Sequence, residues 1–387
     1  MVSRNVTTII LALAAVLSAA AVTGGEFIHG IYAVPVKEKD VAAAKQMGFT
    51  HIHNYNNPHT ETGLKTAEEQ LDLAQKYGLK VLFNLSGHKL VGKPDAVDRL
   101  MSVIRKFRKH PALAAWYLCD EPSTPEQERD LKLFYQILKR ETPEIPVFLC
   151  LCQNEPWRNF TEPCDVLMGD LYPVRDETFP EAPLHEYLNF MRQLGQRKKS
   201  WAAVAQFMCW TAYPKLSAKY DKQKLRYPNA AELRCFFYGP LAMGGLNGVF
   251  WYSYNDLFNR GRQDGRANED FQQMAAPLIG EFKSFSSLLK NPAEPKIFRW
   301  AEENQFQLAL FDGTDGKQYL VLVNFWPVKR RFDRSTEHLI PGNAGLKPWG
   351  TTRKTNIRIR NGKFVMPDDF ILPWETMIWE LEKEAAH

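Results

Sequence analysis

The 387-residue chain lacks most of the features that would commit it to a cofactor, a nucleic acid or a membrane. No Gly-x-Gly-x-x-Gly follows its first apolar run, so the usual dinucleotide cradle is missing. Cysteines are few: Cys119, Cys150, Cys152, Cys164, Cys209 and Cys235. No Cys-x-x-Cys pairs with a second one, so no structural zinc site is expected, and one disulfide at most. Neither charge dominates, with 49 Lys and Arg against 44 Asp and Glu. The charges are mixed along the chain, and no basic stripe suggests nucleic acid. After the first two dozen residues no apolar run is long enough to cross a bilayer. No cofactor and no metal is expected. His29, His51 and His53 lie on alternating positions of the first two strand-like runs, but no acid or cysteine completes a ligand set with them.

What is present begins with residues 1–24, which read as a secretory signal. Arg4 is the charged start, Ile9 to Leu17 the apolar run, and Ser18-Ala19-Ala20-Ala21 the small-residue cleavage region. A secreted or periplasmic protein is expected, with an uncleaved anchor as the alternative and no other membrane contact.

From residue 25 to 290 short apolar runs alternate with helix-period segments. The strand-like runs are Phe27–Val34, Phe49–Tyr55, Leu79–Leu85, Leu113–Cys119, Val147–Cys152, Asp165–Leu171, Trp201–Phe207 and Val249–Tyr254. Helical patterns follow each of them except the fifth, where an irregular piece around Trp157 intervenes. Eight units in this length predict the α/β class, a (β/α)₈ TIM barrel. An open doubly wound sheet is the alternative. Past the linker Asn291-Pro292-Ala293-Glu294-Pro295 the period drops to two, with turn signals at Asp312-Gly313 and Asn361-Gly362. Residues 296–387 are expected to form a small antiparallel β-sandwich with no catalytic residue.

The stretch Ala115-Trp116-Tyr117-Leu118-Cys119-Asp120-Glu121-Pro122 is apolar until it ends in two acids and a proline. As a buried parallel strand stopped by Pro122, it puts Asp120 and Glu121 at the C-terminal lip, where barrels carry chemistry. Helix capping is the plainer role for such acids, but Ser123 or Thr124 fills it better. The other strand ends offer Tyr32, Asn54, Tyr55, Asn84, Asp170, Tyr172, Gln206, Trp210, Trp251, Tyr254 and Asp256. Amides and carboxylates bond hydroxyls, and rings stack on apolar sugar faces, so a carbohydrate partner is expected. The loop from Thr211 to Pro228, with Tyr213, Lys215, Tyr220 and Arg226, is a candidate substrate wall.

Trp-Tyr-Leu-Cys-Asp-Glu-Pro at strand four resembles glycoside hydrolase clan A, in which an Asn-Glu-Pro closes that strand and its Glu is the acid/base. The resemblance covers residues 27–290 and implies that Glu121 is the acid/base and Trp251 a sugar platform. Two departures stand out. Asp120 occupies the place of the clan's Asn, and Gln206 stands at the end of strand seven, where the clan has its nucleophilic Glu. Asp170 is then the expected second carboxylate, with Asp256 less favoured. A carboxyl separation of about 6.5–9.5 Å, suited to an inverting reaction, is expected. Two alternatives stay open. One is a substrate-assisted, hexosaminidase-like enzyme using Asp120 and Glu121. The other is a barrel that binds glycans without hydrolysing them.

Overall fold

The computed structural model describes residues 26–383, except 153–159, 176–182, 199, 214, 216–217, 219–223, 260–268, 302–305 and 332–338. The expected signal (1–24), Trp157 and Tyr220 lie outside the described residues. Among the described residues no helix is long and apolar enough to cross a membrane.

Eight parallel strands close into a barrel in sequence order. They are β1 (Ile28–Ile31), β2 (His51–His53), β3 (Lys80–Asn84), β4 (Leu113–Asp120), β5 (Val147–Cys152), β6 (Val166–Asp170), β7 (Trp201–Gln206) and β8 (Leu246–Tyr252). β8 pairs back onto β1 over Ile28 to Ile31, which closes the ring. Among the described residues seven helices cover it: α1 (Glu38–Gln46), α2 (Glu61–Lys76), α3 (Ala96–Phe107), α4 (Pro125–Glu141), α5 (Pro183–Arg197), α6 (Ala230–Leu241) and α7 (Glu269–Leu288). Each outer strand face packs on these helices, and the inner faces form a separate cluster that includes Tyr32, Tyr117, Phe148, Met168 and Phe250. Gly30 is needed in that interior, since a Cβ there would lie 2.1 Å from the Phe250 ring. Thr124 and Gln127 form a reciprocal capping box on α4, with Pro125 at its first turn. Asp120 and Glu121 are therefore not that helix's cap.

The C-terminal region is a seven-stranded antiparallel sheet. Its strands are β9 (Ile297–Ala301), β10 (Phe306–Asp312), β11 (Gln318–Asn324), β12 (Ala344–Pro348), β13 (Arg358–Arg360), β14 (Lys363–Val365) and β15 (Thr376–Lys383). The sheet is sandwich-like: one face wraps its own core of Leu308, Leu320, Ile359 and Trp379. The other face, with Phe311, Val321, Val323 and Ile378, joins the barrel's outer core. Alternation along β10, β11 and β15 produces these two faces. Asn361 and Gly362 both have positive φ (51° and 76°) and make the two-residue turn between β13 and β14. Arg234 of α6 crosses to the sheet, pairing with Glu281 of α7 and donating to Thr351 Oγ1.

Candidate functional site

The lip of β4 is shaped by one extra residue. Tyr117 is level with Phe148 of β5, yet Asp120 is level with Cys150, so three steps on β4 match two on β5. Such a bulge re-aims the side chains beyond it. Leu118 and Cys119 both turn out to the helix layer. Tyr117 and Asp120 consequently lie together, and the Tyr117 hydroxyl donates to Asp120 Oδ1. The ladder runs one step further, with Glu121 N donating to Cys150 O at 3.0 Å. Glu121 then takes φ 43°, a left-handed conformation that costs a non-glycine residue roughly 1–2 kcal/mol. Its side chain is exposed, whereas Pro122 behind it is buried.

Three strand ends meet here. Carboxylate oxygens of Glu121 and Asp170 and the Cys152 sulfur lie within 4.8 Å of one another. Cys152 and Asp170 are register partners across β5 and β6. Asp170 is 7% exposed, its Oδ2 accepts from the Tyr172 hydroxyl at 3.1 Å, and its Oδ1 has no partner. The separation of about 6.5–9.5 Å expected for the two carboxyls is not found, because adjacent strand ends aim both side chains at one point.

Burial dominates the electrostatics. It holds the Asp170 carboxyl well above the usual range, and the charges of Glu121 and Asp120 push the same way. Burial also raises Asp120 to about 6; the Tyr117 and Tyr55 hydroxyls pull it down while Glu121 pushes it up. The Cys152 thiol is pushed up by burial, then by Glu121 and Asp170. Acids this close cannot all ionise together. The cluster therefore keeps a proton on Asp170 well above the ordinary carboxylate range.

A wall of rings surrounds the acids. Tyr172 and Tyr252 stack at 5.2 Å, and Tyr213 and Tyr32 lie 6.3 and 6.1 Å from Tyr252. Tyr55, 41% exposed, stands 6.0 Å from Tyr32. Trp210 Nε1 donates to Tyr172 O at 3.2 Å and so is tied to the same wall. His53 is buried among Tyr32, Tyr55 and Tyr117, with centroids at 4.5, 4.6 and 4.7 Å. Burial lowers its pKa to about 3 and leaves it neutral.

Several residues expected at the mouth sit elsewhere. Trp251 faces outward, fully buried between Phe207 and Phe282. β8 ends at Tyr252, and alternation gives the inward place to Tyr252 instead. Tyr254 is buried, and its hydroxyl donates to Asp40 Oδ1 at 2.9 Å, on the α1 side. Asp256 is fully buried and accepts from the Ser253 and Tyr213 hydroxyls, which makes it a loop anchor. Asn84 binds Asn56 O and Ser86 Oγ and accepts from Ser86 N, so its amide holds the β3 turn. The Asn54 amide donates to Val34 O. In the Thr211–Pro228 loop Lys215 is exposed, whereas Arg226 forks onto Glu232 at 2.7 Å. All six cysteines are thiols, with no disulfide.

Gln206 is the sharpest of these corrections. It is fully buried, its Oε1 accepts from Val174 N at 2.9 Å and its Nε2 donates to Val174 O at 2.7 Å. The amide behaves as a piece of backbone clamping the loop after β6, and it has no free group for a sugar or a water. Gln206→Leu should orphan both Val174 groups and cost about 1–3 kcal/mol for each. A fall in the urea midpoint with little change in m would show it, and an unchanged midpoint would refute the clamp.

No protein-family model matches the sequence, and no curated protein matches it. Solved structures do. One described as a glycoside hydrolase superposes with a TM-score of 0.63 at 11% identity, covering 92% of each chain. The fold of the barrel is glycoside hydrolase-like. Fainter likenesses, each with a TM-score of 0.47 and 12% identity, run to two other proteins. One is a glycoside hydrolase family 5 protein from Streptomyces cattleya in complex with Manβ1-4GlcNAc, covering 66% of this chain and 81% of that one. The other is a β-galactosidase from Marinomonas ef1, covering 66% of this chain and 60% of that one. At such identities the likeness concerns the fold. What the glycoside hydrolase-like barrel does rests on its own lip residues.

Sequence reasoning passed over Tyr117, Cys152 and Tyr252. Each carried a signal: Tyr117 is three residues before Asp120, and Cys152 and Tyr252 are the last residues of their strands.

Proposed function

We propose that the protein hydrolyses O-glycosidic bonds of an oligo- or polysaccharide, with Glu121 as the general acid/base. The observation that supports this most is the division of exposure among three clustered acids. Glu121 is exposed at the lip, while Asp120 is half-buried and Asp170 almost fully buried behind it. Only Glu121 is free to meet a leaving-group oxygen. Asp170, held protonated by burial, backs it and can return a proton to it between turnovers. The stacked Tyr172 and Tyr252 offer a flat face to a sugar ring. Export, read from residues 1–24, belongs to this proposal because polysaccharides of that kind lie outside the cell.

The near-complete burial of Asp170 also favours a second reading. A carboxyl so nearly covered is badly placed to attack an anomeric carbon, and that leaves Asp120 as the neighbouring acid a bound sugar can touch. Its contacts with two tyrosine hydroxyls beside Glu121 support a role for Asp120 in orienting a 2-acetamido group in substrate-assisted hydrolysis. A panel of aryl glycosides and oligosaccharides, with and without 2-acetamido groups, tests both readings. Turnover confined to 2-acetamido sugars selects the second, and turnover of plain hexosides the first. Binding without turnover of any glycan would leave a glycan-binding barrel, and neither binding nor turnover would overturn the proposal.

A further inference from the structure

We propose that Glu121, Cys152 and Asp170 form a binding site for a thiophilic divalent cation of the Zn²⁺ class. The three donor atoms lie within 4.8 Å of one another on three consecutive strand ends. Donors around a tetrahedral Zn²⁺, at about 2.0–2.2 Å for oxygen and 2.3 Å for sulfur, stand somewhat closer than that limit. Of the three donors, Glu121 is the exposed one and so has the most freedom to adjust.

Acids in a cluster do not make a site, but here a second feature points to a ligand. Asp170 Oδ1 is buried, lacks any hydrogen-bond partner, and belongs to a side chain directed at the other two donors. Its sister oxygen is already held by Tyr172, which fixes the carboxylate plane as outer-shell partners of metal ligands do. A buried polar atom left unmatched costs free energy, which a cation that displaces the Asp170 proton would recover.

The donor set also selects the cation. Two carboxylates alone suit Mg²⁺ or Ca²⁺, but these ions demand six or more oxygens. The Cys152 sulfur shifts the preference to Zn²⁺ or Cd²⁺, with water in the fourth position. On binding, the Cys152 thiol and the Asp170 carboxyl each lose a proton to solvent as metal–sulfur and metal–oxygen bonds form. Nothing is oxidised or reduced. Glu121, tied to the ion, is then withdrawn from any substrate. The site's existence does not depend on the chain being a hydrolase.

The test uses the full chain, stripped of metal and titrated with Zn²⁺ and, separately, Mg²⁺ by calorimetry. One Zn²⁺ per chain at micromolar affinity or tighter is expected, with no heat from Mg²⁺. Loading with Co²⁺ should give a sulfur-to-metal charge-transfer band. Cys152→Ser should abolish the band and weaken Zn²⁺ at least about tenfold, the scale of losing one supporting group at a metal site. Asp170→Asn, which keeps the shape, should weaken Zn²⁺ as much and serves if the serine variant does not fold. No Zn²⁺ binding, or binding and a band that survive both substitutions, would overturn the site. Glycoside turnover by the metal-free protein is read separately, so failure of either idea leaves the other standing.

Discussion

Replacing Glu121 with Gln should lower turnover of any glycoside the protein accepts by at least about 10²-fold, the usual scale of general acid–base catalysis. The amide keeps the size and shape of the side chain but cannot deliver a proton. Folding should be unaffected, because the side chain is exposed and the residue's tie to β5 runs through its own N–H to Cys150 O. Glu121→Gly provides an independent check. Residue 121 sits at φ 43°, where glycine is at ease, so this variant should be just as inactive and no less stable. A folded Glu121→Gln protein with near-full activity would remove Glu121 from the mechanism. An alternative substrate with an activated leaving group, which needs little protonation, should recover much of the lost rate.

Asp170→Asn should make the protein more stable and less active. The folded state holds the Asp170 proton far more tightly than an unfolded chain would, because burial and then Glu121 and Asp120 oppose its ionisation. The sign follows from linkage. Between the ordinary carboxylate pKa and the raised folded one, the native state binds more protons, so stability falls as pH rises. Asp120 adds to the same trend between its ordinary 3.8 and about 6. Asparagine cannot ionise, so the neutral-pH cost disappears and the melting temperature should rise by several degrees. The gain should be largest above pH 6 and vanish near pH 4. Activity should fall, because Glu121 loses the acid behind it. Thermal melts from pH 4 to 8 with a chelator present decide the matter, and a variant less stable than wild type at pH 7 would contradict it.

Much of the barrel was legible because its strands are buried on both faces. Runs such as Val147–Cys152 need no alternation to be recognised, and the helices between them carry an apolar stripe and caps. β9 and β12 were not legible. Ala344–Pro348 contains a glycine and ends in a proline, and it is a strand only because β15 pairs with it along five residues. The sandwich-like sheet could be expected from its turns, but not the sharing of one of its faces with the barrel's outer core. At the lip, residue types were readable and directions were not. Ending the eighth strand at Tyr254 put Trp251 and Tyr254 at the mouth, whereas its true end two residues earlier makes Tyr252 the inward ring. Gln206 shows the other limit. An amide at a strand end looks free until the loop it clamps is seen.

The extra residue in β4 also bears on how this chain is compared with any other barrel. A fourth strand without the bulge reaches the same height one residue sooner. Counted forward from Ala115, past the register shift that β4 makes against β3, the lip acid of such a strand falls opposite Asp120. Counted backward from Pro122, it falls opposite Glu121. Two alignments of equal apparent quality thus name different catalytic residues, and sequence scoring alone does not separate them. The backward count is the one the backbone supports, because the gap belongs at Leu118-Cys119, where two consecutive side chains turn to the helix layer.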